Sequence, residues 1–225
     1  GELVSVPSRQ MEAAENAITA AFGLVSNRAR PDVEFWINYR KEGIGYFLLR
    51  VTRHGDFQKT LKRGELRPDL AGLLCLLSGP SRNDRVLDPF CGRGAILRAR
   101  THWPSRSIMG GDRSDAVLQD AARIPGVQVR LWHAADLTEV ADGSVDAVIT
   151  DPPWGVFEKI EDLYGFYSKI MREMRRVVTG EGRGVFLLPR DKEVDRAVAT
   201  LWRVVERYPV LVSGRKAQVV LALPQ

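Results

Sequence analysis

The sequence predicts an α/β protein whose mostly parallel sheet carries helices on both faces and ends in an antiparallel hairpin, with a small α+β segment ahead of it. Three observations predict this. From about residue 61 onward, short apolar strand-like runs alternate with segments of helical period. The run Arg85–Asp88 feeds straight into a glycine turn that opens a helix. The last two strand-like runs are joined only across Ser213, Gly214 and Arg215, too short a link for a crossover between parallel strands. Residues 1–60 are expected to form the small α+β segment and residues 61–225 the sheet domain.

In chain order, an amphipathic helix is expected from about Gln10 to Phe22, stopping at Gly23. Val33–Tyr39 and Gly45–Val51 flank the turn Arg40–Gly43 and read as a hairpin. A polar, basic stretch follows, Thr52–Arg67. Pro68 suits the first turn of a helix, where its missing N–H is not needed. Leu70, Leu73, Leu74 and Leu77 repeat at helical spacing, and Gly79-Pro80 ends the element. Strands are then expected at Arg85–Asp88, Ser107–Gly110, Val127–Trp132, Val145–Thr150 and Gly184–Leu188. Between them come helices from Ala95, over Ser114–Arg123 and over about Ile160–Val178. A helix over Lys192–Leu201 and strands at Val204–Val212 and Ala217–Leu223 complete the chain. No internal repeat or low-complexity tract interrupts this order.

The 225 residues, 44% of them apolar, are enough for a core without metal or disulfides. Cys75 and Cys91 sit in apolar or glycine-rich surroundings, which suits a reducing cytoplasm, and with His54, His102 and His133 they offer no zinc-ligand spacing. No metal site is expected. No apolar run approaches the ~20 residues of a membrane span, and no signal peptide precedes the fold. Residue 1 is Gly rather than Met, which suggests a trimmed N-terminus and a missing upstream domain. The net charge of +5 suits either plain solubility or attraction to a phosphate backbone.

The glycine turn reads Asp88-Pro89-Phe90-Cys91-Gly92-Arg93-Gly94. Gly92 and Gly94 let the backbone turn tightly and come close to a ligand, and Asp88 at the strand end is placed to accept from an ammonium group or its water. The three-glycine dinucleotide fingerprint is absent. Asp112 closes the next strand region, 24 residues after Asp88, where an acid holds both hydroxyls of a ribose. Asp136, another 24 residues on, is expected to end the third strand and to accept from an adenine amino group, with Leu137 beside the ring.

The fourth strand runs into Asp151-Pro152-Pro153-Trp154-Gly155. An exocyclic amine of guanine or adenine is a poor nucleophile because its lone pair is delocalised into the ring. A carboxylate and a backbone carbonyl that accept from it draw density onto nitrogen and align it. Pro152 and Pro153 fix φ and remove two N–H donors, and Trp154 offers a face for a base.

These residues resemble the class I amino-methyltransferases, whose fourth motif is an Asp, Asn or Ser followed by Pro-Pro and an aromatic residue. Within that class the chain is similar to the THUMP-associated guanosine-N2 RNA methyltransferases (UPF0020-like). The similarity rests on Leu61–Leu77, Val86–Ile96, Asp151–Gly155 and Leu211–Leu223, and spans about residues 60–225. It implies a Rossmann-like sheet and S-adenosylmethionine as cofactor, held by Asp88, Phe90, Gly92, Gly94, Asp112 and Asp136. The Arg67-Pro68 segment would close over the methionine end, and Asp151, Pro152, Pro153 and Trp154 would form the target-amine site. RNA, with transfer RNA first, is the implied partner. The Asp-Pro-Pro-Trp form is shared with adenine-N6 methyltransferases of DNA or RNA, a similar loop occurs in glutamine-methylating enzymes of proteins, and a non-catalytic cofactor- or RNA-binding protein is the other class of answer. The loop lacks a cysteine, which argues against covalent methylation of pyrimidine carbon.

Ahead of the sheet domain lie Arg28, Arg30, Arg40, Lys41, Arg50, Arg53, Lys59, Lys62 and Arg63, with Phe35, Trp36, Tyr39, Tyr46 and Phe47 on the hairpin. Such a face would track phosphates and stack on bases, or be a solvated basic surface over a small core. Arg190 and Lys192 are expected at the Asp151 end of the sheet.

Overall fold

A computed structural model describes residues 3–27, 34–41, 43, 45–50, 65–156 and 159–225. The chain divides into two compact units, Gly1–Thr60 and Leu61–Gln225.

In the first unit, β1 (Leu3–Val4), α1 (Ser8–Phe22), β2 (Glu34–Arg40) and β3 (Gly45–Arg50) build an antiparallel sheet of order β1-β2-β3. β1 is too short to carry a sequence pattern; its pairing of Leu3 with Arg40 comes from the fold. α1 stops at Gly23, whose φ of 62° gives the left-handed cap expected of glycine. Phe35 stacks between Phe22 and Phe47, with ring centroids 6.5 and 5.4 Å apart. Among the described residues of this unit none is fully buried. Most of the stretch Thr52–Arg67, Val33 and Val51, and the cations Arg28, Arg30, Arg53, Lys59, Lys62 and Arg63 lie outside the described residues.

The second unit contains α2 (Pro68–Leu77), β4 (Arg85–Asp88), α3 (Ala95–Arg100), β5 (Ser107–Asp112), α4 (Asp115–Ala121), β6 (Val127–Leu131) and β7 (Val145–Thr150), then α5 (Leu163–Val177), β8 (Val178–Pro189), α6 (Lys192–Ala199), β9 (Trp202–Val212) and β10 (Arg215–Pro224). The sheet order is β6-β5-β4-β7-β8-β10-β9. β4 to β8 pair in parallel, while β10 runs antiparallel to both β8 and β9. The expected parallel sheet with a terminal hairpin is therefore present.

Period-two alternation sorts β4, β7, β8 and β10 between two cores, while β5 and β6 also pack on a third around Leu97, Leu118 and Ile124. Leu87, Val148, Phe186, Leu188, Val220 and Ala222 face the layer of α5 and α6, which supplies Tyr167, Ile170, Met171, Met174, Val194 and Val198. Val86, Ala147, Ile149, Val185, Leu187, Ala217 and Val219 face α2 and α3, which supply Ala71, Leu74, Cys75 and Ile96. Each Val, Leu, Ile, Phe or Met among them contributes about 1.5–3 kcal/mol when fully buried. Among the described residues, no helix is long and apolar enough to cross a membrane.

Several boundaries differ from expectation for local reasons. α5 begins at Leu163 rather than Ile160 because the Asp162 side chain caps it, accepting from the Gly165 N–H at 2.8 Å. β8 begins six residues earlier than the apolar run Gly184–Leu188, since Val178 to Arg183 continue extended beside β7 through a register shift. In α2 the buried stripe is Ala71, Leu74 and Cys75, and Leu73 is exposed. β5 reaches Asp112, two residues further than expected, whereas β6 stops at Leu131.

Candidate cofactor and target-amine site

The sheet order reverses between β4 and β7: β5 and β6 lie on one side of β4, and β7 to β10 on the other. In such sheets the crevice beyond the carboxyl ends of the strands at the reversal is where ligands bind. Asp88 is the last residue of β4, and Asp151 follows the last residue of β7. The two strand ends are joined directly, for Thr150 Oγ1 donates to Asp88 Oδ1 at 2.6 Å. The Phe90 N–H donates to the same oxygen at 3.1 Å, so Asp88 also shapes the turn that follows it. Asp88 is 1% exposed, and burial pushes its carboxyl up to about 7 against the two hydrogen bonds that favour its ionised form. The charges of Asp151 and Asp112 push the same way.

Gly92 has φ 50°, and no atom lies within 4 Å of where a Cβ would stand, so the turn presents open backbone there. Its N–H donates to Asp112 Oδ2 at 3.1 Å, while the Ser114 N–H donates to Oδ1 at 3.0 Å. Both oxygens of Asp112 are thus aimed by backbone, and each keeps acceptor capacity. Gly94 is required by packing. A Cβ on it would fall 2.5 Å from Ile124 Cδ1, so this glycine lets α3 pack on the segment after α4. Phe90 is partly buried and packs against Phe166 of α5 at 6.3 Å.

Asp136 does not end β6. It lies five residues past Leu131 in an exposed turn, its N–H donating to the His133 carbonyl at 2.7 Å. Trp132 ties this turn to the glycine loop, its Nε1 donating to the Pro89 carbonyl at 3.3 Å and its N–H to the Asp112 carbonyl at 3.1 Å. The Leu137 side chain, expected beside a ring, is fully buried in the α5 core. Its backbone is instead held by α5: the N–H donates to Glu173 Oε2 at 2.9 Å, and Arg176 donates to its carbonyl at 2.8 Å. Arg67 is exposed at the start of α2, paired with Asp69 through two hydrogen bonds of 3.0 and 2.6 Å.

At the β7 end, the Trp154 Nε1 donates to Asp151 Oδ1 at 2.9 Å, which fixes the indole beside the carboxylate. Pro152 is buried and Pro153 exposed, and the Pro153 carbonyl accepts from the Tyr167 hydroxyl at 2.9 Å. Burial pushes the Asp151 carboxyl up to about 7, opposed by the Trp154 hydrogen bond. These residues open on a cavity of about 220 Å³. Asp151, Pro152, Pro153, Trp154 and Val156 form one wall, Glu65 and Leu66 ahead of α2 a second, and Val212, Ser213 and Arg215 of the β9–β10 turn a third. Arg190 and Lys192 are exposed after β8, whose end lies at the Asp151 end of the sheet.

The sequence reading had no role for Thr150, Tyr167, Glu173 or the hairpin turn. Thr150 was visible only as a strand residue, and the others reach the site across the fold. Cys75 and Cys91 are free and buried, with thiols pushed up by burial. No group of acids, histidines or cysteines able to hold a metal occurs among the described residues.

Residues 56–99 and 104–218 match the family model described as UPF0020, RMKL-like, methyltransferase domain. The chain is 30% identical over 180 residues to the bovine tRNA (guanine(6)-N(2))-methyltransferase THUMP3, covering 69% of the chain and 35% of that protein. It is 29% identical over 192 residues to the tRNA (guanine(6)-N2)-methyltransferase of Thermus thermophilus, covering 81% of the chain and 57% of that protein. The chain therefore spans between about a third and somewhat over half of these relatives' length. Among solved structures, TrmN from Thermus thermophilus superposes with a TM-score of 0.69 over the whole chain and 70% of its own, at 24% identity. That likeness shows a shared Rossmann-like methyltransferase fold.

Proposed function

The chain belongs to the UPF0020 family of RMKL-like methyltransferase domains, and we propose that it transfers a methyl group from S-adenosylmethionine to the exocyclic N2 amine of a guanosine in RNA, with transfer RNA the substrate class. The observation that carries the reading is the hydrogen bond between Thr150 and Asp88, which ties the cofactor turn to the strand leading into Asp151 and its cavity. The guanine-N2 and transfer-RNA specificity of the relatives named above supports the choice of base and substrate.

The cofactor fits the residues present. Open backbone at Gly92 gives room, and Asp112, oriented by two backbone N–H groups, would take the ribose hydroxyls. Asp136 would reach the adenine amine, and Asp88 would hold the turn and favour the amino end by charge. When bound, S-adenosylmethionine supplies an electrophilic methyl group activated by its sulfonium charge. The protein's own part is to hold the amine. Asp151 accepts one N–H and the Pro152 carbonyl the other, so the nitrogen lone pair is turned out of conjugation, and Trp154 carries the base plane. Such positioning provides the larger share of the acceleration when both reactants are held. No strongly basic group is required, because the proton leaves after nitrogen has become cationic. Residues 1–60, with their exposed aromatic stack, would add RNA contacts.

The test is incubation with labelled S-adenosylmethionine and bulk transfer RNA, DNA or protein, followed by mass spectrometry of nucleosides and peptides. N2-methylguanosine in the RNA is expected. N6-methyladenosine instead, or product only on DNA or on protein glutamine, overturns the reading, and no affinity for the cofactor leaves a binding protein.

A further inference from the structure

The β9–β10 turn is built to place one cation in the target cavity. Ser213 and Gly214 both have positive φ, 49° and 77°, the paired left-handed geometry of a tight two-residue hairpin turn. Ser213 is the one non-glycine residue with positive φ among the described residues, a conformation that L side chains rarely adopt. The next residue, Arg215, pairs with Val212 across the turn, and Val212, Ser213 and Arg215 together form the cavity wall apart from the Asp151 turn. Arg215 is exposed on the turn, and no carboxylate among the described residues pairs with it. The cavity is thus lined by the carboxylates of Asp151 and Glu65 and by the planar donor fork of Arg215.

We propose that Arg215 reads the O6 and N7 edge of the target guanine and thereby sets guanine over adenine. This inference rests on the guanine-N2 reading. With the 2-amino group at Asp151, guanine turns its two acceptors, O6 and N7, to the opposite side of the ring. A guanidinium has five donors and no acceptor, and its fork matches that pair of acceptors with two parallel hydrogen bonds. Adenine with its N6 amine at Asp151 offers a lone N3 and the glycosidic bond on the far side. Adenine placed in guanine's orientation sets an amine donor against the guanidinium donors. The carboxylate alone accepts either amine, so discrimination falls to the hairpin.

The experiment compares the whole protein with Arg215→Met, a side chain of similar length without donors, on transfer RNA transcribed with GTP or with 7-deaza-GTP, which lacks N7 and keeps O6 and the 2-amine. For the unaltered protein, kcat/KM is expected to fall about 10-fold or more on the 7-deaza RNA. For Arg215→Met, kcat/KM on the ordinary RNA falls by a similar factor and the difference between the two RNAs disappears. Affinity for S-adenosylmethionine, measured by titration, stays unchanged, which shows that the sheet domain still folds. Equal discrimination by the two proteins, or unchanged turnover of ordinary RNA by Arg215→Met, overturns the role of Arg215 while leaving guanine-N2 methylation standing. Methylation of adenine and not guanine by the unaltered protein overturns the reading beneath it as well.

Discussion

In the proposed reaction Asp151 accepts from an amine while standing where burial favours its neutral form. Its carboxyl, ordinarily near 3.8, is pushed up to about 7, so at neutral pH only part of the population has the ionised acceptor. If the ionised form is the working one, turnover at saturating cofactor rises with pH through about 7 and levels off above it. Initial rates across that window check this, and a fall in rate over the same window would refute it. Asp151→Asn keeps an oxygen acceptor without a titrating proton, so it is expected to retain measurable turnover and lose the pH dependence. Asp151→Ala removes the acceptor and is expected to cost about 100-fold or more in kcat with cofactor affinity unchanged. Stability runs the other way. Between 3.8 and about 7 the folded protein holds protons on Asp88 and Asp151 that the unfolded chain has released. The native state then binds more protons than the unfolded state, so these two groups make the cofactor-free protein less stable as pH rises through that interval. Thermal melts of Asp151→Asn are expected to show a shallower decline than those of the parent.

At the level of elements, α5 braces the loop proposed to face the cofactor. Glu173 takes the Leu137 N–H, and Arg176 takes the carbonyls of Leu137 and Val140 and the Asp142 carboxylate, so one turn of helix fixes the loop that carries Asp136. The Glu173 carboxyl is held below its usual range, first by its bond to Arg176. Glu173→Ala is expected to weaken S-adenosylmethionine binding about 3- to 10-fold, a charged hydrogen bond discounted for partial exposure. kcat at saturating cofactor should change little, and isothermal titration beside steady-state kinetics separates the two effects. Asp142, 77% exposed, is expected to give no measurable change on substitution by alanine. The same loop shows what the sequence did and did not reveal. Strands such as Val145–Thr150 are legible because a sheet buried on both faces turns period two into a nearly continuous apolar run, here interrupted only by Asp146 near its start, and Asp88, Asp112 and Asp151 are legible because each closes or follows such a run. Asp136 was placed at a strand end because Val127–Trp132 reads extended up to it, yet the chain turns at His133. Leu137 reads as a ring contact only if the strand continues. Glu173 and Tyr167 lie on the buried or half-buried side of an amphipathic helix, where nothing in their spacing tells that they hold backbone groups 36 and 14 residues away. Arg215 looked like a turn residue because the cavity it lines is assembled only when β10 returns beside β8.

For the molecule as a whole, charge and aromatic surface are divided between the units. Residues 1–60 carry eight arginines and lysines against seven acids, so nearly all of the net charge of +5 belongs to residues 61–225. The first unit instead presents exposed rings, with Phe22, Phe47, Trp36, Tyr39 and Tyr46 each at least 41% exposed. Counterion release makes the phosphate contribution to RNA affinity fall with salt, whereas stacking on rings is nearly salt-independent. A chain of residues 61–225 alone contains both helical layers of the sheet and every residue assigned to the cofactor, and should keep its S-adenosylmethionine affinity within about twofold. Its affinity for transfer RNA should be lower by about 10-fold, the equivalent of one stacked base, at every salt concentration. Plotted as log affinity against log salt, the full chain and the shorter one would then give parallel lines. A slope that collapses on removing residues 1–60 would place the phosphate contacts on the first unit, and the balance of charges between the units would be a poor guide to where the RNA lies.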